Sequence, residues 1–323
     1  MKVSVIIPCH NSLPYIRETF KSITDQSYKD IEIIIVDDHS NEETKGYLDS
    51  LKSINNLTVL ESKEKGACYA RNLGFNHSTG DLIQFLDSDD LLSPNKIEEQ
   101  VRLLEGNTNF VAVCSTAHFI DSPDNHYISD KPFMFSTNKP QEFLLSLWGS
   151  NGHSTNMVQT NAWLCPRNLI EKSGLWDPSL IKDQDGEFFC RVVMQSEGII
   201  YAENCLNYYR KFVSSKKNIS SGITKAHFLS QFAAIQSKQN QLQEFSETID
   251  FKTAFAIQYK HFHVDSWPAF KDLSLMALKH CDDLGGTDFV PKLGGKVIVL
   301  IQNVFGWKFA KQFRIIVNKL RGK

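Results

Sequence analysis

Short apolar runs alternate with amphipathic segments along the first 120 residues of the chain. Five runs rich in β-branched residues are too short for helices, and the stretches between them repeat apolar residues at helical spacing. These runs begin at Val3, Ile31, Leu57, Leu82 and Val111. Strands that alternate with helices in this way predict βαβ units, and therefore an α/β fold with a mostly parallel sheet flanked by helices.

This alternation stops after about residue 120. Residues 121–160 are polar and irregular, which predicts loops and short strands. Ordered elements follow, predicted as a short helix ending at Ser173, a helix over 185–195, and two short strands over 199–201 and 205–209. From about Gly222 onward the chain is predicted to be helical, so we place a domain boundary at residue 215.

Composition narrows the class of protein. The 323 residues are 41% hydrophobic with a formal net charge of −2, which allows a large core and argues against nucleic-acid binding. The charge is uneven, because Thr287–Lys323 contains eight Lys/Arg and one Asp. Seven cysteines without CxxC spacing indicate reduced thiols and no zinc site. Because neither a signal peptide nor a membrane span is recognised, we expect a cytoplasmic protein.

Acidic residues directly follow two of the apolar runs. The fourth run leads into Asp87, Asp89 and Asp90, and the second into Asp37 and Asp38. Because ligands of open α/β sheets bind beyond the carboxyl ends of the strands, these acids predict a ligand site. Neighbouring carboxylates repel one another unless a cation lies among them, and Mg²⁺ or Mn²⁺ can bridge a carboxylate and a substrate phosphate. The alternatives are turns after the strands and, for Asp90, a cap on the next helix.

No phosphate-binding loop accompanies these acids. The sequence has neither GxGxxG after the first run nor GxxxxGK[ST], so it lacks the dinucleotide-binding and P-loop fingerprints. A bound diphosphate would therefore depend on the metal and the acids, assisted by Arg71 or Lys65.

A third polar group begins a predicted helix at Gln184. Asp185 lies at the helix start, and Glu187 is four residues before Arg191, a spacing that allows an ion pair. One interpretation is a capped, salt-bridged helix. The other is a general base at the edge of a pocket, with Asp185 as the candidate.

Five motifs occur in order along residues 3–210. They are VIIPCHN (5–11), IVDDHS (35–40), GACYARNLG (66–74), FLDSDD (85–90), and GLWD (174–177) leading into QDGE (184–187). Together they resemble the family 2 glycosyltransferases with the GT-A fold, in the family's order and spacing. The resemblance implies an inverting sugar transfer from a nucleotide-sugar donor. It also implies a GT-A type, Rossmann-like sheet with a C-terminal helical extension.

The resemblance also implies roles for individual residues. Asp185 matches the catalytic base, and Asp89 matches the ligand of a divalent metal, Mn²⁺ or Mg²⁺. Asp38 matches the acid that recognises the nucleotide base, Asp87 is expected towards the ribose, and Arg71 near the nucleotide. Further contacts to the nucleotide sugar are expected from residues in the same motifs, namely Pro8, His10, Asn11 and Ser88.

Two positions depart from the family pattern. Gln184 stands where the family often has Glu before the base, and Phe212 stands where a frequent Tyr-Arg-x-His pattern has His. The diphosphate contact expected from that histidine is therefore not carried over to this chain.

The expected organisation follows from the resemblance. Residues 1–215 would form the catalytic domain, with a nucleotide-binding half over about 1–120 and an acceptor half over about 121–215. Residues 216–323 would form a helical region with a basic amphipathic tail. The expected donor is a nucleotide sugar, with a UDP-sugar favoured. The acceptor would be a hydroxyl of a glycan or lipid-linked molecule in surface polysaccharide synthesis.

The tail is predicted as an amphipathic helix within residues 296–320. An apolar stripe recurs at helical spacing, formed by Phe305, Phe309, Phe313, Ile316, Val317 and Leu320, while Lys308, Lys311, Asn318 and Lys319 occupy another side. Such a helix can lie at the inner face of the membrane, or its stripe can pack on the catalytic domain. Residues 297–301 are apolar all round and are expected to be buried.

Two other function classes are compatible with an acidic α/β sheet. A nucleotidyltransferase that forms nucleotide sugars would need a glycine-rich basic loop near the first strand, where this chain has Pro8-Cys9-His10-Asn11. A non-catalytic nucleotide-sugar-binding protein would not need all of Asp87, Asp89 and Asp185. Donor hydrolysis with and without Mn²⁺ would separate the three classes.

Overall fold

A computed structural model describes residues 1–152, 155–212 and 222–320. Nine strands in these residues form one sheet. They are β1 (Val3–Cys9), β2 (Ile31–Asp37), β3 (Leu57–Glu61), β4 (Leu82–Phe85), β5 (Leu91–Leu92), β6 (Phe110–Phe119), β7 (Tyr127–Ile128), β8 (Trp163–Pro166) and β9 (Gly198–Arg210). The order across the sheet is β3-β2-β1-β4-β8-β6-β9-β5, and β7 pairs with β6.

Twelve α-helices are found in the same described residues. They are α1 (Leu13–Thr24), α2 (Glu42–Leu51), α3 (Ala67–His77), α4 (Lys96–Leu104), α5 (Pro140–Leu147), α6 (Arg167–Ser173), α7 (Gln184–Met194), α8 (Lys225–Gln241), α9 (Ile249–Ser266), α10 (Lys271–Asp283), α11 (Lys296–Phe305) and α12 (Trp307–Leu320). Strands and helices alternate from β1 to β4, and the C-terminal part is helical. The predicted fold class is confirmed.

The parallel half of the sheet consists of β3, β2, β1 and β4. All seven residues of β1 are buried, because the strand has neighbours on both sides and its faces are covered. A strand buried on both faces is apolar throughout, which explains why its sequence shows no alternation. The other half is mixed, since β6 and β9 are parallel while β8 is antiparallel to both β4 and β6.

Helix α3 packs closely on β1 and β2, and Gly74 makes this approach possible. A Cβ atom at this position would lie 2.4 Å from Ile6 Cγ2 and 3.3 Å from Val36 Cγ2. The helix begins beside the carboxyl end of β2, so its first turns bring Cys68 and Arg71 to that edge of the sheet.

The two short strands predicted over 199–201 and 205–209 are one strand, β9. Ala202 pairs with Cys114 of β6, and the next pair joins Leu206 to Ser115. Three residues between these pairs bulge out of the ladder with β6. The bulge interrupts the apolar alternation, which is why the sequence suggested two separate strands.

The prediction of loops and short strands for residues 121–160 is wrong for Pro140–Leu147, which form helix α5. Four of its eight residues are buried apolar side chains, namely Phe143, Leu144, Leu145 and Leu147. Two helical turns are too short to show a clear amphipathic repeat. Pro140 starts the helix, a position that proline tolerates because the first helical N–H needs no partner.

The chain divides into two compact units, Met1–Ala254 and Phe255–Lys323. Helix α8 belongs to the first unit, where it packs against α7. The predicted boundary at residue 215 lies outside the described residues and remains a prediction. In the second unit, Val264, Leu293 and Ala310 form a small buried cluster.

The predicted tail helix is two helices, α11 and α12, separated by Gly306 at a φ of 81°. The expected burial of residues 297–301 is wrong for Val297 and Leu300, which are 68% and 65% exposed. Ile298 and Ile301 are partly buried against the Val264 cluster, so α11 has one buried face only. Within the described residues, no helix combines the length and hydropathy of a membrane span.

Candidate active site

A cleft of about 700 Å³ lies at the carboxyl ends of β1, β2 and β4. Residues 181–185, which lead into α7, and Gln231 of α8 also line it. Eight of the nine predicted site residues line this cleft, namely Pro8, His10, Asp38, Arg71, Asp87, Ser88, Asp89 and Asp185. Asn11 is outside the lining, and its side-chain oxygen accepts the Asn41 N–H at 2.7 Å.

Asp38 joins the end of β2 to the start of α3. Its two carboxylate oxygens accept the Gly66 N–H at 2.9 and 3.0 Å, and its carbonyl oxygen lies 2.6 Å from His10 Nδ1. Gly66 has a φ of 136°, which favours glycine. A carboxylate can accept several hydrogen bonds, so Asp38 retains acceptor capacity towards the cleft that it lines.

Ser88 connects the loop after β4 to α1. Its hydroxyl lies 2.6 Å from Ser12 Oγ, and its carbonyl oxygen accepts the Thr19 hydroxyl at 3.0 Å. These bonds hold the backbone between Asp87 and Asp89 in place. The direction of both carboxylates therefore depends on α1 as well as on β4.

Arg71 holds Asp87 from one side. Its Nη2 donates to Asp87 Oδ1 at 2.7 Å, and its guanidinium carbon lies 4.4 Å from the centre of the Trp176 ring. Asn72 in turn accepts the Trp176 N–H and donates to the Trp176 carbonyl, at 3.0 and 2.8 Å. Residues 71–72 belong to the motif GACYARNLG, and Trp176 belongs to the motif GLWD. The contacts between them bring these two motifs together next to Asp87. Arg71 Nε is buried without a hydrogen-bond partner in the described residues.

Asp89 and Asp90 are crowded by negative charge. Burial, and secondly Asp87, raise the pKa of Asp89 to about 6. Burial and the two preceding acids raise the pKa of Asp90 well above its ordinary value. Asp90 Oδ1 accepts the backbone N–H of Arg210 at 2.8 Å, so the alternative of a cap on the next helix is wrong. Arg210 Nε donates to the Asp89 carbonyl at 2.9 Å and supports the same loop.

Asp185 lies in the first turn of α7, two residues after a tight turn at Asp183. Asp183 has a φ of 60°, and its carboxylate lies 2.6 Å from Lys238 Nζ of α8. Burial raises the pKa of Asp185 to about 6, and the charge of Asp183 adds to this effect. A Cβ atom at Gly186 would lie 2.2 Å from Asp183 Oδ1, so a side chain at this position would displace the Asp183 carboxylate. The site therefore holds a carboxyl group that titrates close to neutral pH.

Glu187 has a structural role. Its oxygens accept from Arg191 Nε and Nη2 at 2.8 and 3.0 Å and from the Ser237 hydroxyl at 2.7 Å. The predicted ion pair between Glu187 and Arg191 is confirmed. Gln184 accepts a hydrogen bond from the Cys68 thiol at 3.1 Å, which links α7 to α3. Asp185 is the carboxylate of this segment that remains available to the cleft.

The family model for glycosyl transferase family 2 matches residues 4–163. This segment contains β1 to β4 and the acids at their carboxyl ends. The chain carries a glycosyl transferase family 2 domain. An uncharacterized glycosyltransferase of Rickettsia conorii is 36% identical over 137 residues, which are 42% of this chain and 22% of that protein. Matches to four further Rickettsia relatives cover at most 59% of their length.

Two solved structures share the GT-A fold of the family 2 domain. S. aureus TarS 1-349 in complex with UDP-GlcNAc has a TM-score of 0.62 at 16% identity, covering 92% of this chain and 95% of that chain. The mannosyltransferase PcManGT from Pyrobaculum calidifontis, in complex with GDP-Man and Mn2+, has a TM-score of 0.54 at 18% identity. The second match covers 100% of this chain and 88% of that chain.

The acidic loop of the family 2 domain fits a hard divalent cation. Carboxylate oxygens are the ligands that Mg²⁺ and Mn²⁺ prefer. Within the described part of the chain, the Asp89 side chain forms no ion pair, whereas Asp87 is paired with Arg71. A cation would stabilise the ionised Asp89 carboxylate against its burial and against the charge of Asp87, which together raise its pKa. No group of three metal-ligating side chains occurs among the described residues.

Helix α8 provides site residues that the sequence motifs did not indicate. Gln231 lines the cleft. Lys238 forms an ion pair with Asp183, which precedes Asp185 by two residues. Gln231 and Lys238 lie beyond residues 4–163 and within a helix of low amphipathicity. Lys238 stands between Ser237 and Gln239 in a polar stretch of α8, so the local sequence gave no signal of its pairing. Tyr209, at the end of β9, also lines the cleft.

Proposed function

We propose that this chain is an inverting, metal-dependent glycosyltransferase that moves a sugar from a nucleotide-sugar donor to a hydroxyl group. The main support is one cleft that combines the acids at the ends of β2 and β4 with the acid in the first turn of α7. The family 2 domain and the nucleotide-sugar complexes of two structural neighbours support the same class of reaction.

The nucleoside of the donor is assigned to the part of the cleft lined by Pro8, His10 and Asp38. Asp38 is suited to accept a hydrogen bond from the nucleotide base, because Gly66 fixes its carboxylate. A UDP-sugar is our first choice of donor, as in the TarS complex, and GDP-mannose is the second. Lys65 lines the same part of the cleft and adds positive charge for the phosphates.

Asp89 is the proposed ligand of Mn²⁺ or Mg²⁺, with Asp87 beside it. When bound, such an ion acts as a Lewis acid that offsets the negative charge of the diphosphate leaving group. The ion pair with Arg71 fixes Asp87, while Asp89 keeps its carboxylate available. A hydrogen bond between the Ser12 and Ser88 hydroxyls, together with hydrogen bonds from Thr19 and Arg210, holds the loop that carries both acids.

Asp185 is the proposed general base. A carboxylate within about 3 Å of an acceptor hydroxyl can take its proton as the oxygen attacks the anomeric carbon. One displacement from the face opposite the leaving group inverts the configuration of that carbon. Glu187 is unsuited to this role, because Arg191 and Ser237 occupy its carboxylate. A pKa near 6 leaves Asp185 ionised at neutral pH and a better proton acceptor than an ordinary Asp.

A thermal-shift panel of UDP-, GDP-, dTDP- and CMP-sugars, with and without Mn²⁺, tests the proposal. Ligand binding to the folded state raises the unfolding temperature by mass action. We expect one nucleotide class to stabilise the protein more strongly when Mn²⁺ is present. Stabilisation by a nucleoside triphosphate with a sugar phosphate, and diphosphate release from that pair, would instead indicate a nucleotidyltransferase. No response to any nucleotide would contradict both functions.

We also propose that the acceptor is a glycan or lipid-linked molecule of surface polysaccharide synthesis. In this proposal the C-terminal tail binds the membrane surface at which the acceptor lies. Phe305, Phe309 and Ile316 are exposed on α11 and α12, as are Lys296 and Lys308. Exposed aromatic and basic residues on a helix favour an anionic lipid interface. The side chains of Lys319 and Leu320 lie outside those that the structure describes.

Sedimentation with vesicles tests the tail. The intact chain should pellet with anionic phosphatidylglycerol vesicles, less so at high salt, and a chain truncated after Asp288 should not. Equal, negligible pelleting of both proteins would leave the tail as a structural element. Phe305→Ser with Phe309→Ser is the finer variant, because the two residues are 65% and 49% exposed.

A further inference from the structure

One face of α8 forms hydrogen bonds and an ion pair with residues 181–183, which immediately precede the segment that carries Asp185. The Ser230 hydroxyl accepts the backbone N–H groups of Ile181 and Lys182 at 2.9 and 3.0 Å, and it donates to the Lys182 carbonyl at 3.1 Å. Eight residues later on the same face, Lys238 pairs with Asp183 at 2.6 Å. A single helix face therefore fixes the backbone on both sides of the turn that precedes the proposed base.

Gln231 lies next to Ser230 and lines the cleft. Its side-chain oxygen is buried and has no hydrogen-bond partner among the described residues. A buried polar atom without a partner destabilises the folded protein, and an apolar side chain would avoid this cost. A ligand that donates a hydrogen bond to the Gln231 side-chain oxygen would explain why a polar side chain occupies this position in the wall of the cleft.

The cleft that Gln231 lines has the mixed surface that suits a carbohydrate. Met157 and Ile181 line the same cleft with 51% and 38% of their surfaces exposed, so apolar side chains lie beside polar ones. A sugar ring presents C–H groups and hydroxyl groups together, and such a mixed surface suits both. The amide of Gln231 offers an acceptor and a donor, which matches a hydroxyl group or a pair of neighbouring hydroxyls.

We propose that Gln231 binds a hydroxyl group of a sugar that is held beside Asp185. The inference rests on the proposed function and adds a substrate contact from α8, outside the family 2 match. The hydroxyl donates to the Gln231 side-chain oxygen, and the amide N–H₂ group is available to a second hydroxyl. The sugar belongs either to the donor or to the acceptor, and the two sources give different results in the experiment below.

The test variant is Gln231→Leu, which keeps the approximate volume and removes the hydrogen bond. The matched control is Gln236→Leu, an exposed glutamine on the same helix. Gln231→Leu should unfold at the same temperature as the wild type or higher, because it removes an unpaired buried polar atom. This readout separates a binding role from a structural one, since loss of a structural glutamine would lower the unfolding temperature.

Titration calorimetry with Mn²⁺ then compares UDP-GlcNAc with UDP, and GDP-mannose with GDP. If the donor sugar is the partner, Gln231→Leu weakens nucleotide-sugar binding about tenfold and leaves nucleoside diphosphate binding unchanged. If the acceptor sugar is the partner, both titrations are unchanged. The KM for p-nitrophenyl glycoside acceptors then rises about tenfold while donor hydrolysis is retained. Gln236→Leu should match the wild type throughout.

Three results would overturn the inference, and each has a different meaning. Gln231→Leu with unchanged donor titrations and unchanged acceptor KM would refute the Gln231 contact alone. A wild-type protein that binds none of these four ligands and responds to no nucleotide sugar of the thermal-shift panel would refute the proposed function, and the Gln231 contact with it. A fall in unfolding temperature with unchanged binding would make Gln231 a structural residue.

Discussion

Asp185→Asn should change stability and catalysis in opposite directions. The pKa of Asp185 is raised from 3.8 to about 6, first by burial and second by the charge of Asp183. At pH 8 the carboxyl is ionised in both the folded and the unfolded chain. The rise in pKa therefore gives the decrease in the free energy of unfolding that the charged carboxylate causes. Two pKa units correspond to roughly 3 kcal/mol, and partial exposure of the carboxyl to solvent reduces this to about 2 kcal/mol.

The sign of the effect follows from the direction of the shift. A carboxyl whose pKa is raised on folding contributes stability below its unfolded value near pH 4, and this contribution is lost as the pH rises through 6. We therefore predict that Asp185→Asn unfolds a few degrees above the wild type at pH 8 and at the same temperature at pH 4. Asp250→Asn, which changes an exposed carboxylate of α9, should show no such difference.

Catalysis should respond in the other direction. Asparagine cannot take a proton, so turnover should fall by roughly 10²-fold or more in Asp185→Asn. In the wild type, kcat/KM should fall about tenfold per pH unit below pH 6, because protonation removes the base. Thermal unfolding by circular dichroism at three pH values, combined with the pH–rate profile, measures both effects. An Asp185→Asn protein less stable than the wild type at pH 8, or an acidic limb centred near pH 4, would refute the reasoning.

Two further predictions concern the metal and the turn before α7. Asp89→Ala should abolish the Mn²⁺-dependent part of UDP binding in calorimetry while leaving the unfolding temperature nearly unchanged, and unaltered binding would move the metal elsewhere. Gly186→Ala should displace the Asp183 carboxylate from Lys238, which lowers the unfolding temperature and the turnover together. Gly46→Ala is its control, because a Cβ atom there meets nothing within 4 Å, and it should stabilise α2 by about 0.5–1 kcal/mol.

The sequence was most informative where a residue type has a single local explanation. Apolar runs of four to seven residues predicted the parallel strands, because a strand buried on both faces leaves no alternation. Acids placed directly after two of these runs predicted the cleft, because the carboxyl ends of parallel strands meet at one edge. Asp38 and Asp87 line that cleft as expected.

Residues positioned by long-range packing could not be predicted in this way. Lys238 lies 55 positions from Asp183, and nothing in the local pattern of α8 indicates that its lysine pairs with the turn before α7. The same limit applies to Asp90, whose partner is the backbone of Arg210, 120 positions away. The role of Glu187 could be predicted, because its pairing with Arg191 is set by helical spacing alone.

The tail shows a different limit of sequence patterns. The run 297–301 is apolar at every position, so hydropathy alone suggested burial all round. Its burial is decided by the Val264 cluster, which covers Ile298 and Ile301 and leaves Val297 exposed. Gly306 then ends α11 with a positive φ and redirects the chain into α12.

The most direct test of the proposed reaction is Mn²⁺-dependent release of nucleoside diphosphate from the donor selected by the thermal-shift panel. Wild-type protein and Asp185→Asn would be compared at pH 8, with donor affinity measured alongside by calorimetry. We predict donor binding within a few-fold of the wild type and release slowed by roughly 10²-fold or more in Asp185→Asn. Equal release by the two proteins would contradict the assignment of Asp185 as the base of a glycosyl transfer.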